Sequence, residues 1–228
     1  MKLKLVERQS LFADVETFYF EPKESIDWQS GQYMHYVFPH QNEDDRGEER
    51  WFTISSPPYE KHISITTRFT EKEGSSFKRA LKAMKIGDAI ESDGPKGRFV
   101  ITEPAKKTVL LAGGIGITPY HSMLLQMDHD GQAINADLLY ANRDDNFVFG
   151  EELAALETKH PDLHIHKFVG ERRIEVEDFK PYADDPALTI YLSGPEPMVE
   201  NYAKTLKEKF GVAEERIMAD DFPGYLAF

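Results

Sequence analysis

Through most of the first hundred positions apolar and polar residues alternate with a period of two, beginning at Lys2-Leu-Lys-Leu-Val-Glu-Arg8. Successive residues of a strand point to opposite faces, so this pattern predicts half-buried β-strands. It recurs at 2–8, 13–20, 32–38, 50–56, 62–68, 88–92 and 97–101, with breaks at Pro22, Gly31, Pro39, Pro57-Pro58, Gly87 and Gly94-Pro95. One stretch departs from it: Phe77, Leu81 and Met84 stand at helical spacing and predict a helix over 75–84. Short strands separated by turns predict a small antiparallel β-barrel. Residues 41–50, Gln-Asn-Glu-Asp-Asp-Arg-Gly-Glu-Glu-Arg, form a polar hairpin loop with the composition of a mobile connection.

From about residue 105 the pattern changes. Apolar runs at 107–112, 135–141, 163–168, 188–193 and 216–219 alternate with helical patterns near 118–129, 149–158 and 196–210, and with a shorter element near 175–180. Strand–helix alternation predicts an α/β doubly wound, mostly parallel sheet that takes ligands at the carboxyl ends of its strands. Glu103-Pro104 reads as the linker, which gives two domains, 1–103 and 104–228.

Composition narrows the function classes. The chain contains no cysteine, so disulfides, thiolate zinc sites and cysteine-ligated iron–sulfur clusters are excluded on these 228 residues. A net charge of −13 argues against nucleic acid and anionic membrane surfaces as partners. The excess is uneven: residues 1–104 carry 15 Lys and Arg against 18 Asp and Glu, whereas 105–228 carry 12 against 22. Arg68, Lys72, Lys78, Arg79, Lys82 and Lys85 make one basic stretch, read as a solvated helix face or as a docking patch for an anionic partner. No apolar run is long enough to span a membrane, and the N-terminus lacks the apolar core of a signal peptide. The expected location is cytoplasmic. His164 and His166 share a strand face, but no third metal ligand accompanies them, and no metal site is expected.

Two segments carry chemistry. Val109-Leu-Leu-Ala-Gly-Gly-Ile-Gly-Ile-Thr-Pro119 joins a buried strand to a glycine-rich turn that opens a helix. Such a turn brings backbone close to an anion at a helix start, and suits a nucleotide pyrophosphate over Gly113, Gly114, Gly116, Thr118 and Pro119; tight packing is the alternative use of the same glycines. Arg50-Trp-Phe-Thr-Ile-Ser-Ser56 places a cation, an aromatic and a hydroxyl on one strand. A guanidinium for a phosphate, a planar partner for a ring and a hydrogen-bonding group are what a flavin requires, although a mixed edge strand has the same composition.

With Gly31-Gln32-Tyr33, Arg50-x-Phe52-Thr53, Gly94-Pro95-x-Gly97-x-Phe99, the Gly-Gly-Ile-Gly-Ile-Thr-Pro turn and Ser193-Gly194-Pro195 in this order, the chain resembles the ferredoxin–NADP reductase superfamily over essentially its whole length. The resemblance implies an FAD-binding barrel followed by an NAD(P)H-binding domain. It implies that Arg50 meets the flavin phosphate, that Phe52 meets the ring with Trp51 beside it, and that Thr53 meets the reactive nitrogen. Thr66, Thr67 and Arg68 would add flavin contacts, and Gly74, Ser75 and Ser76 would receive the pyrophosphate. The serine-rich helix start favours FAD over FMN, although the stretch from Ser76 to Gly87-Asp88 is longer than the family's usual form.

In the second domain the resemblance gives the nicotinamide to Ser193, Gly194, Pro195 and Met198, with Ser193 where many relatives have cysteine. Asp220 would lie near the reacting rings, and Phe222 or Tyr225 would cover the flavin. At Asn142-Arg143-Asp144-Asp145, the arginine favours NADPH and the two carboxylates favour NADH. The function implied is a flavoprotein reductase that passes electrons from NAD(P)H through FAD to a separate acceptor such as ferredoxin, flavodoxin, a haem protein or a quinone. A subunit of a larger electron-transfer complex, or a non-catalytic redox-sensing flavin module, are the alternatives.

Overall fold

The computed structural model describes residues 1–70, 74–170, 172 and 174–222, with the backbone alone at 176, 221 and 222. The chain divides into two compact units, Met1–Val100 and Ile101–Phe228.

The first unit is built from β1 (Lys2–Phe12), β2 (Val15–Pro22), β3 (Tyr33–Val37), β4 (Glu49–Thr53), β5 (Ile63–Arg68), α1 (Ser76–Ala83) and β6 (Ala89–Lys96). All neighbours pair antiparallel in the order β4-β3-β6-β1-β2-β5. Just past β4 the Ser55 amide donates to the Ser64 carbonyl at 3.0 Å, joining the two ends of the sheet into the antiparallel barrel. A buried hydroxyl ladder backs that seam, with Ser55 Oγ 2.8 Å from both Ser64 Oγ and Thr66 Oγ1, and Thr66 Oγ1 2.9 Å from Thr17 Oγ1. Alternation drives Leu3 and Leu5 inward while Lys2 and Lys4 face out. They meet Phe18, Phe20, Met34, Tyr36, Ile63 and Ile65 in the barrel core. Helix α1 adds Phe77 and Leu81 to that core, each fully buried, a contribution of about 1.5–3 kcal/mol per side chain. Ser75 caps the helix by accepting the Lys78 amide at 3.2 Å.

Two strands differ from the expectation. The stretch 97–101 is not a strand; its alternation comes from Phe99 alone turning inward. Instead β6 runs through Gly94-Pro95 to Lys96. Tyr33 opposes Lys96 and His35 opposes Asp93, so Gly94 and Pro95 together face the single residue Met34. A bulge of this kind tolerates a proline that has no amide to donate. Strand β4 stops at Thr53, and Ile54, Ser55 and Ser56 are all buried, because the chain leaves β3 there to reach β5.

The second unit contains β7 (Thr108–Gly113), α2 (Thr118–His129), β8 (Ala136–Asn142), α3 (Gly150–Lys159), β9 (Leu163–Val169), α4 (Lys180–Ala183), β10 (Thr189–Pro195), α5 (Glu196–Phe210) and β11 (Ile217–Phe222). The sheet is parallel throughout, in the order β11-β10-β7-β8-β9. Every residue of β7 is buried, as a central strand covered on both faces requires. The chain winds outward from β7 through β8 to β9, then returns to the other side of β7 with β10. That reversal makes the β7/β10 junction the switch point, where doubly wound sheets open a crevice.

Candidate functional site

In the barrel, Arg50 and the start of α1 are brought together. The Arg50 Nη1 donates to the carbonyls of Arg46 (2.6 Å), Gly47 (3.3 Å) and Glu49, and the guanidinium carbon lies 5.6 Å from the centre of the Phe77 ring. Its Nη2 is buried and makes no hydrogen bond. Burial lowers the affinity of this guanidinium for its proton, Asp44 opposes the shift and Arg46 adds to it. Asp44 Oδ1 stands 3.8 Å from Nη2, close enough for an ion pair but too far for a hydrogen bond, so Arg50 keeps a buried donor that fits a flavin phosphate. Gly74, Ser75 and Ser76 lie at the start of the helix, as expected. The side chains of Ser75 and Ser76 are both buried, and an added Cβ on Gly74 would come within 2.7 Å of the Thr70 carbonyl oxygen.

The remaining flavin candidates divide. Thr53 is buried at the end of β4, and Phe52 is half-buried with its ring centre 5.8 Å from both Tyr36 and Phe77. Trp51 points the other way, 58% exposed and stacked on His35 at 4.6 Å. Thr66 spends its hydroxyl on the barrel seam, and Thr67 is fully buried. Arg68 is buried with Nη1 paired to Asp14 Oδ2 at 2.6 Å, while its Nε and Nη2 have no hydrogen-bond partner.

In the second unit the glycine turn occupies the switch point. Gly114–Ile117 forms a 3-10 turn and Thr118 starts α2, with Pro119 in its first turn. Gly114 takes a φ of 54°, which glycine tolerates best. A Cβ on Gly116 would lie 2.3 Å from the Ser193 carbonyl oxygen, so this glycine permits the turn to rest on β10. The Thr118 hydroxyl donates to the Ile115 carbonyl at 3.1 Å. No acidic side chain stands in the first turn of α2, which leaves its positive end available to an anion. Met198, half-buried, reaches into the notch between Gly113 and Gly194; a Cβ on either glycine would approach its tip to 2.5 Å.

Ser193 and Asp220 pair in register, and Ser193 also pairs with Ala112, which places all three at the carboxyl ends of adjacent strands. Gly194 and Pro195 continue the same strand end and are buried. Tyr120 on α2 lies within the same electrostatic neighbourhood. Burial first, then Asp220 and Tyr191, push its phenol well above the ordinary value, and its hydroxyl donates to Leu111 O at 3.0 Å. The side chain of Phe222 and the whole of Tyr225 lie outside the described residues.

At the end of β8, buried Asn142 organises a tight turn. Its Nδ2 donates to the carbonyls of Asp144 (3.1 Å) and Asn146 (2.9 Å), while Oδ1 has no hydrogen-bond partner. Asp144 accepts the Asn146 amide at 3.0 Å through Oδ1 and pairs with Arg143 Nε at 3.2 Å through Oδ2. Nearby, His121 of α2 stacks on Phe149 with ring centres 3.6 Å apart and meets Glu152 of α3 at 2.7 Å. His164 and His166 are exposed on β9, and no cluster of three metal-ligating side chains occurs among the described residues. The residue that the sequence reading missed is Asp44, whose carboxylate accepts the Ser76 amide at 2.6 Å. Five acidic residues crowd positions 43–49, and composition alone does not single it out.

Comparison with known proteins agrees with this division. Residues 2–101 match the oxidoreductase FAD-binding domain family, and residues 110–204 match the oxidoreductase NAD-binding domain family. The carnitine monooxygenase reductase subunit of Escherichia coli (strain K12) is 26% identical over 171 residues, covering 73% of this chain and 51% of that protein. NADH-cytochrome b5 reductase 1 of Lodderomyces elongisporus is 31% identical over 150 residues, covering 58% of this chain and 49% of that protein. The chain thus spans about half the length of these relatives. Among solved structures, the flavohem-like FAD/NAD-binding domain of nitric oxide dioxygenase from Vibrio cholerae superposes with a TM-score of 0.81 at 21% identity, covering 97% of this chain and 98% of that one. No helix among the described residues is long and apolar enough to cross a membrane.

Proposed function

The chain belongs to the ferredoxin–NADP reductase superfamily, and from that premise we propose that it is a flavoprotein reductase working with FAD and NAD(P)H and delivering electrons to a separate acceptor. The observation that carries the reading is Arg50 Nη2, a buried cationic donor without a hydrogen bond beside the start of α1. When bound, FAD supplies the redox chemistry, accepting hydride from the reduced nicotinamide. Arg50 and the opening of α1 bind its phosphates, Phe52 borders its ring, and Thr53 offers a buried hydroxyl at the end of β4. In the second unit the Gly114–Ile117 turn and the positive end of α2 bind the dinucleotide pyrophosphate. Ser193 and Asp220 stand at the adjoining strand ends to orient the nicotinamide. The protein's own contribution is to orient the rings and exclude water.

Asp144 favours NADH as donor. It pairs with Arg143, the side chain that would otherwise meet a 2′-phosphate, and a carboxylate suits free ribose hydroxyls. The lack of cysteine puts any cysteine-ligated iron–sulfur acceptor outside these 228 residues. A small redox protein or a haem protein suits that role. The same features serve a reductase subunit inside a larger electron-transfer complex, and the relative named as a reductase subunit supports that second reading.

Anaerobic visible spectra of the purified protein test the proposal. A flavin spectrum bleached by NADH faster than by NADPH is the expected result, and Arg50→Ala is expected to weaken FAD binding roughly 10- to 100-fold, the loss of one charge-assisted contact. Failure to reconstitute with FAD or FMN would overturn the reading. Co-purification with a dedicated partner would select the subunit form.

A further inference from the structure

The expected phosphate-binding groups of the barrel already hold an anion, and the protein supplies it. The Asp44 carboxylate lies in the loop between β3 and β4. Its Oδ2 accepts the Ser76 amide at 2.6 Å and the Arg46 guanidinium at 3.0 Å. Its Oδ1 accepts the Arg46 amide at 3.1 Å and stands 3.8 Å from Arg50 Nη2. The contact is reciprocal, because the Asp44 amide donates to Ser76 Oγ at 3.1 Å. Two guanidinium groups and the amide at a helix start are the donors that recognise a phosphate, and a carboxylate presents the same paired oxygens and negative charge. The loop is fastened as well, since the carbonyls of Arg46, Gly47 and Glu49 accept Arg50 Nη1. Burial pushes the Asp44 carboxyl up, but the Ser76 amide and the Arg46 side chain and amide outweigh it and hold the group well below the usual carboxylate range. The loop that composition marks as mobile is pinned at both cationic ends.

We propose that Asp44 is a built-in competitor for the flavin phosphate: it closes the Arg50–Ser76 site in the cofactor-free chain, and a phosphate-bearing flavin must displace it to bind. This rests on the assignment of Arg50 and the start of α1 to FAD. Displacement exchanges one anion for another on the same donors, so neither guanidinium is left uncompensated in either state. The exchange requires a phosphate. Riboflavin carries the same ring but no phosphate to compete with the carboxylate, so the clasp lowers the affinity for FAD and FMN and leaves riboflavin binding as it is.

The test titrates flavin-free wild type, Asp44→Ala and Asp44→Asn with FAD, FMN and riboflavin, following quenching of flavin fluorescence. Circular dichroism checks that each variant is folded, and the isosteric asparagine variant carries the test if the alanine variant is not. Removing the carboxylate is expected to tighten FAD and FMN roughly tenfold, about the worth of one charge-assisted hydrogen bond, and to leave riboflavin unchanged. Equal or weaker FAD binding by the variants would overturn the inference. Riboflavin tightening as much as FAD would overturn it too, because loop bulk rather than charge would then be at work. If wild type binds no flavin under any condition, the FAD assignment itself falls and takes the clasp with it.

Discussion

Ser193 lies opposite Asp220 in the parallel pairing of β10 with β11, yet its hydroxyl is fully buried and makes no hydrogen bond. A buried donor left without a partner costs about 1–3 kcal/mol. Ser193→Ala removes that cost along with the group. It is expected to leave stability unchanged or raise it by up to about 1 kcal/mol, measured by urea denaturation. A clear loss of stability would show that the hydroxyl has a partner.

Gly116 tests whether the glycine turn is shaped by packing. The atoms nearest an added methyl are backbone, with the Ser193 carbonyl oxygen at 2.3 Å and Gly194 Cα at 2.8 Å, and neither can swing aside. Gly116→Ala is expected to cost about 1–3 kcal/mol or more by overpacking. Gly211, with a φ of 64° and open space around it, is the control: its alanine variant pays only for the left-handed backbone, about 1–2 kcal/mol. Thermal melts that rank Gly211→Ala as the worse variant would contradict the close approach.

The His121–Glu152 contact between α2 and α3 carries a pH signature. The hydrogen bond from His121 lowers the Glu152 pKa, against the opposing effect of burial. A carboxyl depressed in the folded state stabilises fully above its unfolded value, near 4.3, and loses that contribution as pH falls through the folded value. Glu152 is 55% exposed, so solvent screening limits the gain to about 1 kcal/mol or less. The stability difference between wild type and Glu152→Gln should shrink as pH falls below about 4.3. A difference that stays level down to pH 3 would dismiss the linkage.

Asp144→Ala removes a partner of Arg143 and the acceptor of the Asn146 amide. It is expected to raise kcat/KM for NADPH relative to NADH by roughly tenfold, as one guanidinium–phosphate contact becomes available. Steady-state kinetics with an artificial one-electron acceptor measure the ratio. A ratio that moves toward NADH would place the ribose elsewhere.

Much of this architecture was legible because its signals are local. Period-two alternation located β1 and β2, and the apolar run at Val109–Ala112 marked a strand covered on both faces. The pair Arg50 and Ser76 was legible as separate chemistry, one as a cation on a strand and the other as a hydroxyl at a helix start. What escaped was long-range. Asp44 meets Ser76 across 32 residues, and only the folded chain shows which of the acidic residues at 43–49 reaches that far. The bulge at Gly94-Pro95 escaped for the same reason: proline reads as a stop until the partner strand shows that its missing amide falls where the ladder asks for none.

The second sheet ends at β9, where His164, His166 and Lys167 stand exposed. A terminal strand of a parallel sheet offers unpaired backbone groups to any other extended chain, and charged or wet side chains along it are a common defence. Exposed imidazoles and an ammonium along it make the edge a poor template for a second chain. A strand at the margin of the fold thus bears on how concentrated the protein can become before it ceases to be a solution.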